Sequence, residues 1–246
     1  MAFPSYGIMA TIGLCVAVLF LYNRLEMIEL TFRQFLLIVG GGLLGLLIGS
    51  RVLFVIGIIP TIKNITVSVL LHYLIYGGIV FYGGLLGLLA GICIVAKIIK
   101  KAPVDILNFI APSIPLFHGF ARIGCLLSGC CYGVQWNWGV RMVNSPEIVR
   151  FPVQLFESCC DFLIFTWLIL YQKKSKHPQD ILMKYLCSYA ICRFILEFFR
   201  GDAVRGLWLF GISTSQLISI IIVAIIVLAK IRRKKVNEYE TRSAGN

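Results

Sequence analysis

The sequence predicts an all-α, polytopic integral membrane protein of about seven transmembrane helices, with the N-terminus outside and the C-terminus in the cytoplasm. Three observations predict it. Of 246 residues, 59% are hydrophobic and 14% charged, against about 45–50% apolar in a soluble domain, which leaves too little polar surface to solvate a globule and too much apolar surface for disorder. Seven windows are apolar over roughly the 20 residues that a bilayer core about 30 Å thick requires. Lys and Arg are distributed unequally between alternate connections.

The windows run near 4–22, 35–59, 77–96, 104–126, 154–171, 180–199 and 211–230, the fourth and sixth with charge inside them. One set of connections holds Arg24, Arg33, Lys97, Lys100, Lys101, Lys173, Lys174, Lys176, Lys230, Arg232, Arg233, Lys234, Lys235 and Arg242; the other holds Lys63, Arg141, Arg150, Arg200 and Arg205. Fourteen against five places the first set in the cytoplasm. An odd number of spans agrees.

Met1–Ser5 has no positive charge ahead of the first apolar run, so the first helix is expected to be retained rather than cleaved as a signal peptide. Residues 1–235 read as one transmembrane domain with a small extracytoplasmic loop near 134–153, where Trp136 and Trp138 stand as interfacial aromatics, and 236–246 as a polar cytoplasmic tail. The net charge of +12 fits loops facing anionic lipid of the bilayer, and no nucleic-acid partner is expected. Asn64-Ile65-Thr66 matches a glycosylation acceptor, a pattern too short to carry weight.

Arg51, Arg122 and Arg193 fall inside apolar windows, where each charge costs on the order of 2.5–3.5 kcal/mol near mid-depth. Snorkelling or carboxylate pairing would offset this, most simply at Arg51. On a continuous helix, Tyr189, Arg193, Glu197 and Arg200 share a stripe about 80° wide, so Glu197 is placed to hold either guanidinium. His118 precedes Arg122 by one turn, and both can face one cavity; a hydrogen-bonded helix contact is the plainer use of such a His. Arginine is a planar, permanently charged fork for phosphate or carboxylate, and two or more converging within a bilayer suggest an anionic lipid head group.

Arg122 opens the densest segment, Arg122-Ile123-Gly124-Cys125-Leu126-Leu127-Ser128-Gly129-Cys130-Cys131-Tyr132-Gly133. Its three glycines weaken a helix and free backbone groups for a ligand, as in a re-entrant turn. This segment resembles the signature of the bacterial prolipoprotein diacylglyceryl transferases. Tyr6-Gly7, Gly49-Ser50-Arg51, Gly77-Gly78 with Gly83-Gly84-Leu85, Ala111-Pro112, Pro152-Val153-Gln154-Leu155 before Glu157, Arg193-Phe194-Ile195-Leu196-Glu197-Phe198-Phe199-Arg200 and Ser215-Gln216-Leu217 follow in the family's order, so the likeness covers nearly the whole chain.

The resemblance implies a transferase of the bacterial plasma (inner) membrane whose partners are phosphatidylglycerol and a prolipoprotein signal peptide. In the family reaction a lipobox cysteine thiol displaces glycerol phosphate from the lipid and forms a thioether. Carried over by position, the essential arginines fall on Arg122 and Arg193, the polar tyrosines on Tyr6 and Tyr189, and the charged partners on Glu197 and Arg200. Arg51, Gly124, Gly129 and Gly133 complete the expected substrate-binding set. The chain departs from the pattern at Tyr82, where the family has His, at Cys125 for Asn and Cys130 for Glu, and at Ser128 and Asn108.

Guanidiniums aimed at the departing phosphate would lower the barrier electrostatically. The attacking thiol must lose its proton, and Tyr82, with a reference pKa near 10, is a poor base at neutral pH. Either His118 has taken over that role or the arginine field alone lowers the thiol pKa. The catalytic set read from the sequence is therefore Arg122, Arg193, His118 and Tyr82.

Of nine cysteines, six lie in or beside apolar helices as small hydrophobes. Cys125, Cys130 and Cys131 sit in the Gly-rich turn, open to packing, to a disulfide or to a reactive thiol; zinc is the weaker reading, since there is no C-x-x-C pair and the arginines should bind an anion. No metal or cofactor is expected. Three rival functions stay open: a same-scaffold paralogue passing a lipid-derived group to another acceptor, a non-enzymatic anionic-lipid binder or transporter, and a thiol oxidoreductase built on the three cysteines.

Overall fold

The computed structural model describes residues 5–59, 66–76, 80–143, 145–174, 180–202 and 212–243, with the side chains of 81–82 and 233–243 outside the description. Lys63, the Asn64-Ile65 acceptor pair, Gly77-Gly78, Lys176, Arg205 and the side chain of Tyr82 therefore lie outside the described residues. The chain divides into two compact units, Leu21–Phe109 and Met1–Phe20 with Ile110–Asn246.

The first unit is organised by a pair of helices, α2 (Phe32–Ile58) and α4 (Phe81–Ile98), with the short α3 (Val67–Tyr76) between them and α5 (Pro103–Ile110) after them. A capping box starts α2: Gln34 N donates to Thr31 Oγ1 and Thr31 N to Gln34 Oε1, at 3.3 and 3.0 Å, which satisfies two otherwise orphaned amides. Glycines at 41, 45 and 49 on α2 and at 83, 87 and 91 on α4 then let the backbones touch. A Cβ at Gly45 would strike the Gly87 carbonyl oxygen, one at Gly49 that of Gly83, and one at Gly91 that of Gly41. Small residues every fourth position on both helices are how helices approach closely in lipid, where packing replaces the hydrophobic effect.

The second unit comprises α1 (Ser5–Tyr22, up to Phe20), α6 (Ser113–Ser128), a β-hairpin of β1 (Gln135–Met142) and β2 (Ser145–Arg150), α7 (Val153–Lys174), α8 (Ile181–Leu196) and α9 (Thr214–Ser243). Its core packs Ala111, Ile164, Leu168, Ile181 and Tyr185. Gly119 of α6 lies against the Phe162 ring of α7, and Ser158 Oγ donates to the Gly119 carbonyl at 2.9 Å. On the other side of α6, Gly13 of α1 meets Phe117 and Phe120.

Among the described residues, four helices are long and apolar enough to cross a membrane, Ser5–Tyr22, Phe32–Ile58, Val153–Lys174 and the Thr214–Arg232 part of α9; α5 and α6, bent at their junction, make a fifth if taken as one span. Three features differ from the sequence reading. The window 104–126 is broken at Ala111-Pro112, because proline cannot supply the amide that a continuous helix needs there. The loop near 134–153 is an antiparallel hairpin with register shifts on either side of Val140-Arg141, and Trp136 and Trp138 pack edge-on to Phe151. The sixth window is α-helical only to Leu196; Glu197–Phe199 tighten to 3-10 geometry and Arg200 is extended.

Candidate active site

The site grows from a polar stripe on α7. Gln154, Glu157, Ser158 and Asp161 follow i, i+3, i+4, i+7 spacing and are 0, 5, 4 and 2% exposed, so the first two turns of the buried face of this helix point polar groups into the unit. Carboxylates at that depth require partners. Glu157 receives two arginines. Arg122 of α6 brings Nε to 2.9 Å from Oε2, an ion pair whose N–H does not lie along the hydrogen-bond direction, and Arg193 of α8 donates from Nη1 to Oε1.

Arg193 is held on three sides. Besides Glu157, its Nη2 lies 2.7 Å from Glu197 Oε2, one turn on, and 3.1 Å from Ser215 Oγ. A second capping box fixes Ser215 at the start of α9, where Gln216 N donates to Ser213 Oγ and Ser213 N to Gln216 Oε1, at 3.2 and 3.0 Å. Two guanidiniums therefore face two carboxylates, one of them Glu157, whose role the sequence reading did not assign. Arg122 differs from Arg193. Its side chain is buried to the same degree, but its terminal Nη groups have no hydrogen-bond partner among the described residues.

His118 lies one turn before Arg122, with Nδ1 3.1 Å from Asp161 Oδ2 and its ring 5.4 Å, centroid to centroid, from Tyr189. The approach is close but off the hydrogen-bond direction; a carboxylate beside Nδ1 favours the proton on that nitrogen, with Nε2 as the acceptor. Tyr189 also packs on Tyr185, at 5.9 Å. A narrow cavity in the unit is lined by Glu157, Asp161, Tyr189, Arg193, Cys192 and Leu196.

Arg200 does not share Glu197, as the helical stripe would have it. The break at Leu196 turns it onto Asp202, with Nε donating to Oδ1 at 2.8 Å. Burial pushes the Asp202 carboxyl up, yet the hydrogen bond and charge of Arg200 outweigh it and hold the group below its ordinary value. This pair anchors a three-way backbone crossing. Gly133 bridges Arg200, Val134 N donates to Phe199 O, Gly201 N to Tyr132 O and Phe151 N to Val134 O, each hydrogen bond at 2.9 Å. A Cβ at Gly133 would strike the Phe151 carbonyl oxygen.

The other glycines of the segment have packing reasons as well. Gly124 passes the α1 backbone, where a Cβ would stand 3.1 Å from Tyr6 Cα. Gly129, at φ +72°, ends α6 in a Schellman motif, with Gly129 N donating to Leu126 O and Cys130 N to Cys125 O, both at 3.1 Å. Tyr6 lies within electrostatic range of Arg122 and Cys125. Arg51, on α2, belongs to the other unit and has a buried Nη1 without a hydrogen-bond partner among the described residues.

A family model described as prolipoprotein diacylglyceryl transferase matches residues 1–232. The chain belongs to this family. It is 32% identical over 227 residues to a phosphatidylglycerol–prolipoprotein diacylglyceryl transferase of Clostridium tetani, covering 90% of this chain and 89% of that one. A second enzyme so named, from Clostridium perfringens, is 32% identical over 89% of this chain and 86% of its own, and one from Idiomarina loihiensis is 30% identical over 67% and 64%. Against the transferase pattern, Arg122, Arg193, Tyr189 and Glu197 stand together in one buried cluster, whereas Cys125 and Cys130 face each other across the Schellman ending of α6.

Asp161, Ser215 and Asp202 carry contacts that the sequence reading missed. The spacing of Gln154, Glu157, Ser158 and Asp161 was a signal for the first, since four polar residues on one face of an otherwise apolar span are costly unless buried against partners.

Proposed function

We propose that this chain transfers the diacylglyceryl group of phosphatidylglycerol to the lipobox cysteine thiol of prolipoproteins. The thiol sulfur forms a bond to the terminal glycerol carbon, the carbon–oxygen bond to phosphate breaks, and glycerol phosphate departs with the electron pair while the thiol proton passes to a base. The observation that carries this reading is Glu157 shared between Arg122 and Arg193, because it brings two cationic forks from different helices to one point. Arg193 is fully engaged and acts as the fixed wall. Arg122 has terminal N–H groups available for the phosphate, and donors set in advance in a dry site cost no reorganisation as charge develops on the leaving oxygen.

His118, oriented by Asp161, is the proposed base, with Tyr189 packing its ring. Tyr6 and Glu197 complete the substrate surface on the same unit, while Gly124, Gly129, Gly133 and Arg200 shape the turn beside it. Tyr82 and Arg51 are proposed from the sequence resemblance alone. Seven spans with an outside N-terminus are the proposed topology, which puts the Arg122–Gly133 turn near the outer face of the bacterial plasma membrane, where exported precursors arrive. Residues 1–235 then form the membrane domain and 236–246 its cytoplasmic tail.

The test is release of glycerol phosphate by the purified protein from phosphatidylglycerol and a lipobox peptide. Turnover that disappears in Arg122→Ala and Arg193→Ala, with both variants still inserted and folded, supports the reading. Binding of the lipid with no release at all from the unmodified protein refutes it in favour of a lipid binder.

A further inference from the structure

The thiols of Cys125, Cys130 and Cys131 lie within 4.8 Å of one another, and they are the one group of metal-capable side chains that the described residues bring so close. The backbone explains why they meet. In a Schellman ending, the residue two beyond the cap folds back against the residue three before it; here those are Cys130 and Cys125, and Cys130 Sγ reaches the Cys125 carbonyl at 3.7 Å and Ser128 Oγ at 3.3 Å. Cys131 then adopts a left-handed conformation, φ +55°, one that a side-chain-bearing residue adopts at a cost. That turn aims the third sulfur at the other two.

The spacing suits a single soft ion. With metal–sulfur bonds of about 2.3 Å, three sulfurs around one centre stand about 4 Å apart, so the cluster closes with shifts below an ångström. Three donors without a fourth disfavour a structural zinc site, which takes four. Soft sulfur ligands select monovalent copper, an ion satisfied by three of them. Three thiolates and one monovalent ion carry two negative charges, and the guanidiniums of Arg122 and Arg200, each also paired with a carboxylate, both lie within electrostatic range of Cys131.

We propose that Cys125, Cys130 and Cys131 form a three-thiolate binding site for a monovalent copper ion, at the end of α6. Binding makes three sulfur–copper bonds and releases the remaining thiol protons to water, with no change of oxidation state. The site does not depend on the transferase reading, since it rests on the turn and not on Arg193 or Glu157. Spacing along the sequence does not reveal it, because Cys125 and Cys130 are five residues apart and meet only through the reversal at Gly129.

The test titrates the full-length protein, reduced and held anaerobically in lipid nanodiscs, with Cu(I) buffered by a chromophoric chelator. One equivalent should be withdrawn, and three thiols mapped by mass spectrometry to Cys125, Cys130 and Cys131 should become protected from alkylation. Cys131→Ser should weaken binding at least 100-fold, whereas Cys159→Ser on α7 should leave it unchanged. Cys130→Met, which keeps a soft sulfur, should stay within about tenfold of the unmodified protein while Cys130→Ser does not; equal loss in both would mean that only the fold was disturbed and would overturn the proposal. So would failure to draw copper from the chelator, undiminished binding after loss of any one of the three, or isolation of the protein with two of them joined as a disulfide that takes up no copper after reduction.

Discussion

Replacing Glu157 with glutamine removes one negative charge from beneath two guanidiniums while keeping the shape of the side chain. Arg122 and Arg193 each lean on one of its oxygens, the former at 2.9 Å, so the two cations are near neighbours. At a separation of about 7 Å and an effective dielectric constant of about 20 their repulsion is about 2 kcal/mol, and stripping one partner from a buried pair costs about 3–5 kcal/mol because the remaining charge is left uncompensated. Arg193 keeps Glu197 and Ser215 and should hold its place. Arg122 has no second carboxylate among the described residues and should swing away. The expected outcome is a variant that inserts in the membrane, melts several degrees lower and releases glycerol phosphate at least about 100-fold more slowly. Glu157→Gln working within threefold of the unmodified protein at unchanged Tm would refute the idea that this carboxylate sets the two arginines.

Other consequences follow from the same contacts. His118→Gln should slow transfer about 100-fold at neutral pH, and the deficit should shrink above about pH 8.5, where the free thiol ionises unaided; an equal deficit at pH 7 and 9 would remove the base role. Gly87→Val should destabilise the protein by about 3 kcal/mol, because the new side chain meets backbone rather than a movable side chain, while Gly40→Val, which enters open space, should cost under about 1 kcal/mol; thermal unfolding in detergent distinguishes them. Asp202→Asn should cost about 3 kcal/mol near neutral pH by leaving Arg200 unpaired. Since the folded carboxyl titrates below its unfolded value of about 3.9, the contribution of Asp202 is fully present above that pH and is lost as pH falls through the folded value, so the gap between the two proteins should stay constant from pH 8 to about 5 and close in stronger acid.

The helices were legible because lipid imposes a simple rule, an apolar run of sufficient length, and the described helices α1, α2, α7 and α9 overlie four of the expected windows. Arg122 and Arg193 were legible for the converse reason, as charges that a bilayer does not accept without compensation. Their compensation was not, because Glu157 sits 35 residues from one arginine and 36 from the other and only packing of α6, α7 and α8 brings them together. The helical stripe failed at Arg200 because it assumed that α8 continues past Leu196. The α2–α4 contact was written in glycines four residues apart on both helices, a pattern that periodicity of apolar residues does not register. The β-hairpin was hidden because its strands are largely exposed and alternate weakly.

A kinetic cycle on Arg122 and Arg193 tests most directly whether the two act as one unit, Arg193 as the fixed wall and Arg122 as the donor to the leaving phosphate. Single-turnover release of glycerol phosphate would be measured for each alanine variant and for the double variant, all in nanodiscs of the same phosphatidylglycerol content. If Arg193 serves by fixing the Glu157 carboxylate on which Arg122 rests, each single change removes most of the acceleration and the double variant is little slower than either. Losses that multiply, or a single variant within a few-fold of the unmodified protein, would show that the two guanidiniums do not act as one unit.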